Sequence, residues 1–288
     1  MRTNILPYLL LLPATIVMLM LGYYPLPQAF WYSLLWFRPS NPTMTHFIGL
    51  DNYVYAFFAD SRFWISIWNT GYFSVLSVVG SILGGLGVAL LLNEKFRGRG
   101  ILRTLSLLPW LMPPVVNGLI WKWIFDDRFG AFNAVLYGLH LIPAYQPWLT
   151  FGSSFGMSVA ALVFVWRNIP FVAIILLAGL QSIPTTIYES AKIDGASMLQ
   201  RFYRMTLPFL SPAIAITLVQ MVVSAVNTYD ILYVLLGFQV PNLPLYTYLE
   251  VFSYGDFGYG SALAWILTII SLIIGYSYVR VLYKEGFR

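Results

Sequence analysis

Residues 189–208 read Glu-Ser-Ala-Lys-Ile-Asp-Gly, nine further residues, then Met-Thr-Leu-Pro, a polar segment between two long apolar runs. Its side chains suit recognition rather than bond-making. Pro184 is a helix-start residue, and Thr185 and Thr186 precede Glu189 in a spacing that suits N-terminal capping. Residues 187–194 make about two turns, with Ile187, Ala191 and Asp194 on neighbouring positions and Glu189 near the positive end of the helix dipole. Gly195 permits a backbone turn that residues with side chains resist. Residues 197–206 interleave basic and apolar side chains, and Leu207-Pro208 restarts an apolar helix. With too few apolar residues to lie in lipid, this segment belongs at a membrane surface. There it is either an ordinary amphipathic loop or a docking element for a partner.

A second set of polar residues sits inside the apolar runs. Arg167 lies near the middle of the fourth run. A charge there costs about 2.5–3.5 kcal/mol on insertion scales, so it must face other helices or a water-filled path. Asp230 is a possible partner, and the two read first as a structural pair that holds helices together and only second as solute contacts. Phe164, Asn168 and Phe171 fall at i, i+4, i+7 on one helix face. Asn227, Tyr229, Asp230 and Tyr233 offer similar chemistry in the fifth run. Aromatic rings with amides and hydroxyls suit a sugar, whose C–H faces stack and whose hydroxyls need donors and acceptors. The same residues also read as polar glue between helices. Lys122 with Asp126, flanked by Trp121 and Trp123, reads as an anchor at a membrane interface. Two His and no Cys leave no metal site, disulfide or thiol nucleophile, and no residue is assigned a catalytic role. No G-x-x-x-x-G-K-[ST] phosphate loop occurs, so any ATP is hydrolysed by another chain.

The elements that must position these residues are membrane helices. Apolar residues make up 59% of the 288 and charged residues 9%, against roughly 25% charged in a soluble domain. Six segments have the roughly 20 apolar residues a spanning helix needs: 5–33, 66–92, 102–124, 155–180, 209–235 and 260–283. The first follows Arg2, exceeds a signal-peptide core in length and lacks a small-residue cleavage pattern, so it is expected to be retained as a helix. Pro109, Pro113 and Pro114 predict a bend in the third, and Gly80 with Gly84 allows close contact of the second with a neighbour. The basic residues are unevenly placed. Arg2, Lys95, Arg97, Arg99, Arg103, Lys192, Arg201, Arg204, Arg280, Lys284 and Arg288 lie on one set of connections and ends, and Arg38, Arg62 and Arg128 on the other. Eleven against three places both termini in the cytoplasm and accounts for the net charge of +5 without a nucleic-acid partner. The expected fold is an all-α integral membrane protein, a single domain over 1–288 with six transmembrane helices and no strand pattern.

The segment from Glu189 through Ala191 and Gly195 to Leu207-Pro208 resembles the cytoplasmic coupling loop of ATP-driven import permeases, with Ser190 replacing an Ala and Met205 an Ile. The resemblance extends along the chain. Leu6-Pro7-Tyr8-Leu9, Ile48-Gly49-Leu50-Asp51-Asn52-Tyr53, Trp68-Asn69-Thr70, Leu90-Leu91-Leu92-Asn93, Gly98-Arg99-Gly100, Leu108-Pro109-Trp110, Phe129-Gly130-Ala131-Phe132-Asn133 and Asn227-Thr228-Tyr229-Asp230 are similar to elements of the permease subunits of carbohydrate-type ABC importers. Leu236-Gly237-Phe238-Gln239-Val240-Pro241 departs from the T-G-G-G-P common there. The resemblance implies a prokaryotic inner-membrane, multi-pass subunit of the ABC importer permease fold with cytoplasmic coupling helices. It implies a second homologous permease subunit, two ATP-binding subunits that hold ATP and Mg, and an extracytoplasmic solute-binding protein, with this chain carrying no cofactor. It assigns Glu189, Ser190, Ala191, Asp194, Gly195, Leu207 and Pro208 to ATPase coupling, and places the fourth-helix face around Phe164, Asn168 and Phe171 on the solute pathway. The alternative is a secondary transporter driven by an ion gradient, which would need carboxylates near the midplane. Only Asp230 is offered. A membrane enzyme would need clustered His, Asp or Glu, which the pattern lacks.

Overall fold

The computed structural model describes residues 6–150 and 153–285; Arg2, Arg288 and the start of the first apolar segment at Ile5 lie outside the described residues. In hydrocarbon, a backbone has no water to bond its N–H and C=O groups, and a helix satisfies them internally. Five helices are long and apolar enough to cross a membrane: Leu9–Ser33, Ser61–Asn93, Ser154–Gln181, Met198–Val226 and Phe257–Ser277. Arg99–Leu111 and Pro114–Ile124 make a sixth candidate if counted together, meeting at 94°. Their break has a local cause. A residue before proline is forced out of the helical region, and Met112 (ψ 138°) and Pro113 (ψ 140°) each precede one.

The fifth apolar segment is also interrupted. Leu207–Val226 stops at Asn227, and a separate helix runs from Asp230 to Leu236. At its other end the helix continues back to Met198 through a π turn over Phe202–Thr206. Pro208 has no N–H to donate and its ring crowds the carbonyl four residues earlier. The wider turn accommodates both.

The chain divides into two compact units. One comprises the residues up to Ile65 together with Tyr246–Ile270. It contains the first apolar helix, a two-residue antiparallel ladder pairing Leu35 with Phe47 and Trp36 with His46, and the helix Asp51–Phe58. The ladder is too short to leave an alternating pattern in the sequence. Asn52 donates to the carbonyls of Ser33 and Leu35 at 2.8 and 3.0 Å, and the hydroxyls of Tyr53 and Ser33 lie 2.7 Å apart. The Gly-Leu-Asp-Asn-Tyr element thus ties the loop to the end of the first helix. Gly258 donates to the Phe37 carbonyl at 3.0 Å, and an added Cβ there would collide with the Leu35 carbonyl. Arg38 pairs with Asp256 at 2.7 Å. Asp60 is 7% exposed. It bonds the Arg62 N–H at 2.9 Å to cap Ser61–Asn93, and accepts the hydroxyls of Tyr246 and Tyr259 at 2.6 and 2.5 Å. Burial, then the Asp60 hydrogen bond, pushes the Tyr246 phenol up; burial chiefly raises the nearby Glu250 carboxyl, with Asp256 and Asp60 adding to it.

The other unit comprises Ser66–Leu245 and the residues from Ser271 onward. The second and fourth helices meet through glycine. A Cβ on Gly80 would lie 2.7 Å from Val165, and one on Gly84 would lie 2.6 Å from Ile169. Phe73 then packs edge-on against Phe164 at 5.6 Å. Gly179 performs the same role toward Leu210 and Ala213 on the fifth helix. The connection over residues 125–150 is organised by Asn133, which is fully buried. Its Nδ2 donates to the carbonyls of Asp126 and Gln146, and its Oδ1 accepts from the Gln146 N–H and, at 2.7 Å, from the Trp148 indole. Asn133→Ala removes all four bonds; a fully buried group left unmatched costs about 1–3 kcal/mol, and these half-buried partners lose less. The variant should melt earlier in a thermal-unfolding assay in detergent, and an unchanged midpoint would show that water replaces the amide.

Candidate functional site

The polar segment folds as one short helix joined by a fully specified turn to the start of the long helix Met198–Val226, which therefore does not restart at Leu207-Pro208 as the sequence suggests. The short helix runs Thr185–Ile193 and the long one begins at Met198. Gly195 adopts φ +74°. Its N–H bonds the Lys192 carbonyl at 3.1 Å, and the Ala196 N–H bonds the Ala191 carbonyl at 2.9 Å. That pair of bonds is the Schellman arrangement, which places a glycine where a left-handed residue must sit. Ser197 and Gln200 then form a capping box, with bonds of 2.8 and 3.3 Å. Capping at the first helix differs from expectation. Its N-cap is Pro184, with no side-chain cap, because Thr185 and Thr186 already lie inside the helix. Glu189 consequently falls in the second turn, beyond the first turn where the dipole acts most strongly.

Ala191 is buried, and the hydroxyls of Tyr188 and Thr206 lie 3.0 Å apart, tying the first short helix to the base of the long one. Glu189, Ser190, Asp194, Gly195 and Pro208 are exposed, and Leu207 is half-buried. Large apolar side chains are exposed beside them: Ile193 at 86%, Met198 at 80%, Leu199 at 68% and Tyr203 at 61%. A cluster of this kind on a polar segment marks an interaction surface.

The residues within the apolar helices separate into two groups. Phe164, Arg167, Asn227, Tyr229 and Asp230 line one cavity of about 390 Å³, together with Pro114, Gln220 and Ser224. Asn168, Phe171 and Tyr233 are outside its lining. Asn168 is 3% exposed and donates to the Phe164 carbonyl of its own helix at 2.8 Å. Phe171 stacks on Trp110 at 5.5 Å, bracing the helix before the break. Tyr233 packs edge-on to Phe238 at 6.0 Å. Arg167 makes no ion pair with Asp230 among the described residues. Its Nε donates instead to the Met112 carbonyl at 3.3 Å, a carbonyl that the proline break has deprived of a helical partner.

A membrane chain with a surface segment of this geometry matches a known family over most of its length. Residues 77–284 match the model of the binding-protein-dependent transport system inner membrane component. The chain belongs to this family. It is 36% identical to the trehalose/maltose transport system permease protein MalF of Thermococcus litoralis, over 97% of this chain and 92% of that protein. It is 34% identical to the sulfoquinovosyl glycerol transport system permease protein SmoG of Agrobacterium fabrum, over 97% and 91%. Among solved structures it is similar to a chain of the bacterial alginate ABC transporter in complex with alginate pentasaccharide-bound periplasmic protein. The TM-score is 0.80, with 25% identity over 97% of this chain and 94% of that one. This permease-family chain is therefore a multi-pass membrane protein with the ABC importer permease fold.

Several residues of the two sites escaped the sequence reading. Gln220 and Ser224 went unread, although with the already named Asn227 they follow i, i+4, i+7 spacing, a polar stripe on a mainly apolar helix that names the cavity face of the permease. Ser197 with Gln200 is a readable S-x-x-Q capping signature. Pro114 carried no signal as a cavity wall, because its place there depends on the direction of the break.

Proposed function

We propose that this chain is the transmembrane subunit of an ATP-driven importer. With a second homologous permease subunit it forms the pathway for a sugar or related polyol that an extracytoplasmic binding protein delivers. ATP and Mg are bound and hydrolysed by two separate subunits. The observation that carries this reading is the segment from Thr185 to Thr206, a rigid turn with Ile193, Met198, Leu199 and Tyr203 turned outward beside Glu189. A rigid, apolar-faced element is suited to sit in a groove of an ATPase subunit and pass its closure to the long helix that runs on from Met198 to Val226. The names of the relatives support a carbohydrate solute, and the alginate transporter supports the binding protein as a partner. The cavity supports a solute path, with amides, hydroxyls and aromatic rings in one space.

In this reading the Thr185–Thr206 segment and both termini are cytoplasmic, in a prokaryotic inner membrane. Two measurements test it. Reporter fusions at position 45 and at the C-terminus should report opposite sides of the membrane; the same side for both defeats the orientation. Vesicles carrying the assembled complex and loaded binding protein should take up labelled sugar only with ATP inside, and should ignore ionophores. Uptake that ionophores abolish and ATP does not drive would make the protein a gradient-driven transporter.

A further inference from the structure

Arg167 and Asp230 carry opposite charges and line one cavity, yet they make no ion pair with each other among the described residues. Opposite charges in a low-dielectric space attract strongly, so each must be held. Arg167 is held by the Met112 carbonyl, 3.3 Å from its Nε. Asp230 is held by the Ile231 N–H, 2.9 Å from its Oδ1. Each keeps unused capacity toward the cavity. A guanidinium has five N–H donors, of which one is committed to Met112, and the second Asp230 oxygen has no hydrogen bond among the described residues. The other polar groups of the lining, the amides of Gln220 and Asn227 among them, are uncharged.

We propose that Arg167 and Asp230 are a split ion pair that the solute completes: the guanidinium donates to, and the carboxylate accepts from, hydroxyls of a polyhydroxylated solute without net charge. This deepens the importer reading and rests on it. The Met112 carbonyl exists as a free acceptor because of the proline break, so the break keeps the guanidinium off the carboxylate and the gap open. Selection follows from the charge balance. A neutral solute leaves the pair balanced, whereas an anionic sugar sets its charge against Asp230 and a cationic one against Arg167. Rejection by a like charge is an effective way to discriminate between otherwise similar ligands.

Solute binding is measured directly on the assembled complex, without the binding protein, as stabilisation by maltose and by its carboxylate analogue maltobionate. The unaltered complex should prefer maltose. Asp230→Asn retains a side-chain oxygen for the Ile231 N–H, so the helix start survives while the cavity gains net positive charge. This variant should shift the preference toward maltobionate by about tenfold or more, equivalent to about 1.4 kcal/mol. Arg167→Gln should shift it the other way. Arg167→Lys keeps the charge and loses the fork, so it should weaken both sugars while leaving their ratio near that of the parent. A ratio that is the same in Asp230→Asn, Arg167→Gln and the parent overturns the split pair while leaving the importer reading intact. A complex that neither sugar stabilises in any form overturns the split pair and the carbohydrate reading together.

Discussion

Gly195→Val is expected to abolish uptake while the permease still reaches the membrane in normal amount. Residue 195 sits at φ +74°, a conformation that costs a residue with a Cβ about 1–2 kcal/mol and a β-branched one more. Beyond its two chain neighbours, no described atom lies within 4 Å of where that Cβ would be, so strain in the turn is the main intramolecular effect. A strain of this size can flip the turn without unfolding a multi-helix membrane protein. In the proposed importer, the reoriented turn would no longer fit the ATPase groove. Glu189→Lys should give the same phenotype by a different route. Glu189 is exposed and its side chain has no ion pair among the described residues, so reversing its charge is expected to act chiefly on a partner. Both variants should leave solute bound to the separate binding protein, and cross-links from single cysteines at Ser190 or Ala196 to the ATPase subunit should weaken. Uptake at the parental rate in the double variant would reduce the segment to a surface connection.

The difference between these two substitutions shows what was legible in the residue order. Gly195 was readable because a positive φ at a helix end demands a glycine, and the polar run around it could only be a surface element. The apolar runs were equally legible, since a helix satisfies its backbone in lipid within one segment and the only other solution, a closed β-barrel, needs alternating strands that the sequence lacks. The break at Met112 was visible as three prolines, but its 94° angle was not, because a proline says where a helix stops and not where the next one goes. Asn168 and Phe171 share a face with Phe164 by spacing, yet they serve different neighbours. Helical periodicity fixes which residues lie together on one helix. Which of them meets a cavity and which meets another helix depends on packing partners far away in sequence.

Asp60 is the extreme case of that distance, and Asp60→Ala is expected to be among the most destabilising single changes in the chain. In the sequence it is one acidic residue in a connection. In the structure its carboxylate caps Ser61–Asn93 and accepts two buried phenols from residues 186 and 199 positions away. Losing the cap costs about 1 kcal/mol, and each orphaned phenol about 1–3 kcal/mol. Relief from desolvating the carboxylate offsets part of this, leaving a net loss of about 2–5 kcal/mol by these magnitudes. Asp60→Asn keeps an acceptor for the cap and for a phenol, so it should lose less. The mechanism has its own signature in a mutant cycle. With Tyr246→Phe and Tyr259→Phe already present there are no phenols to orphan, so removing Asp60 should then cost far less than in the parent, a non-additivity expected of residues in one network. Thermal unfolding of the purified permease in detergent measures both steps. Equal costs of Asp60→Ala in the two backgrounds would mean that the tyrosines find other partners and that the cap alone accounts for the residue.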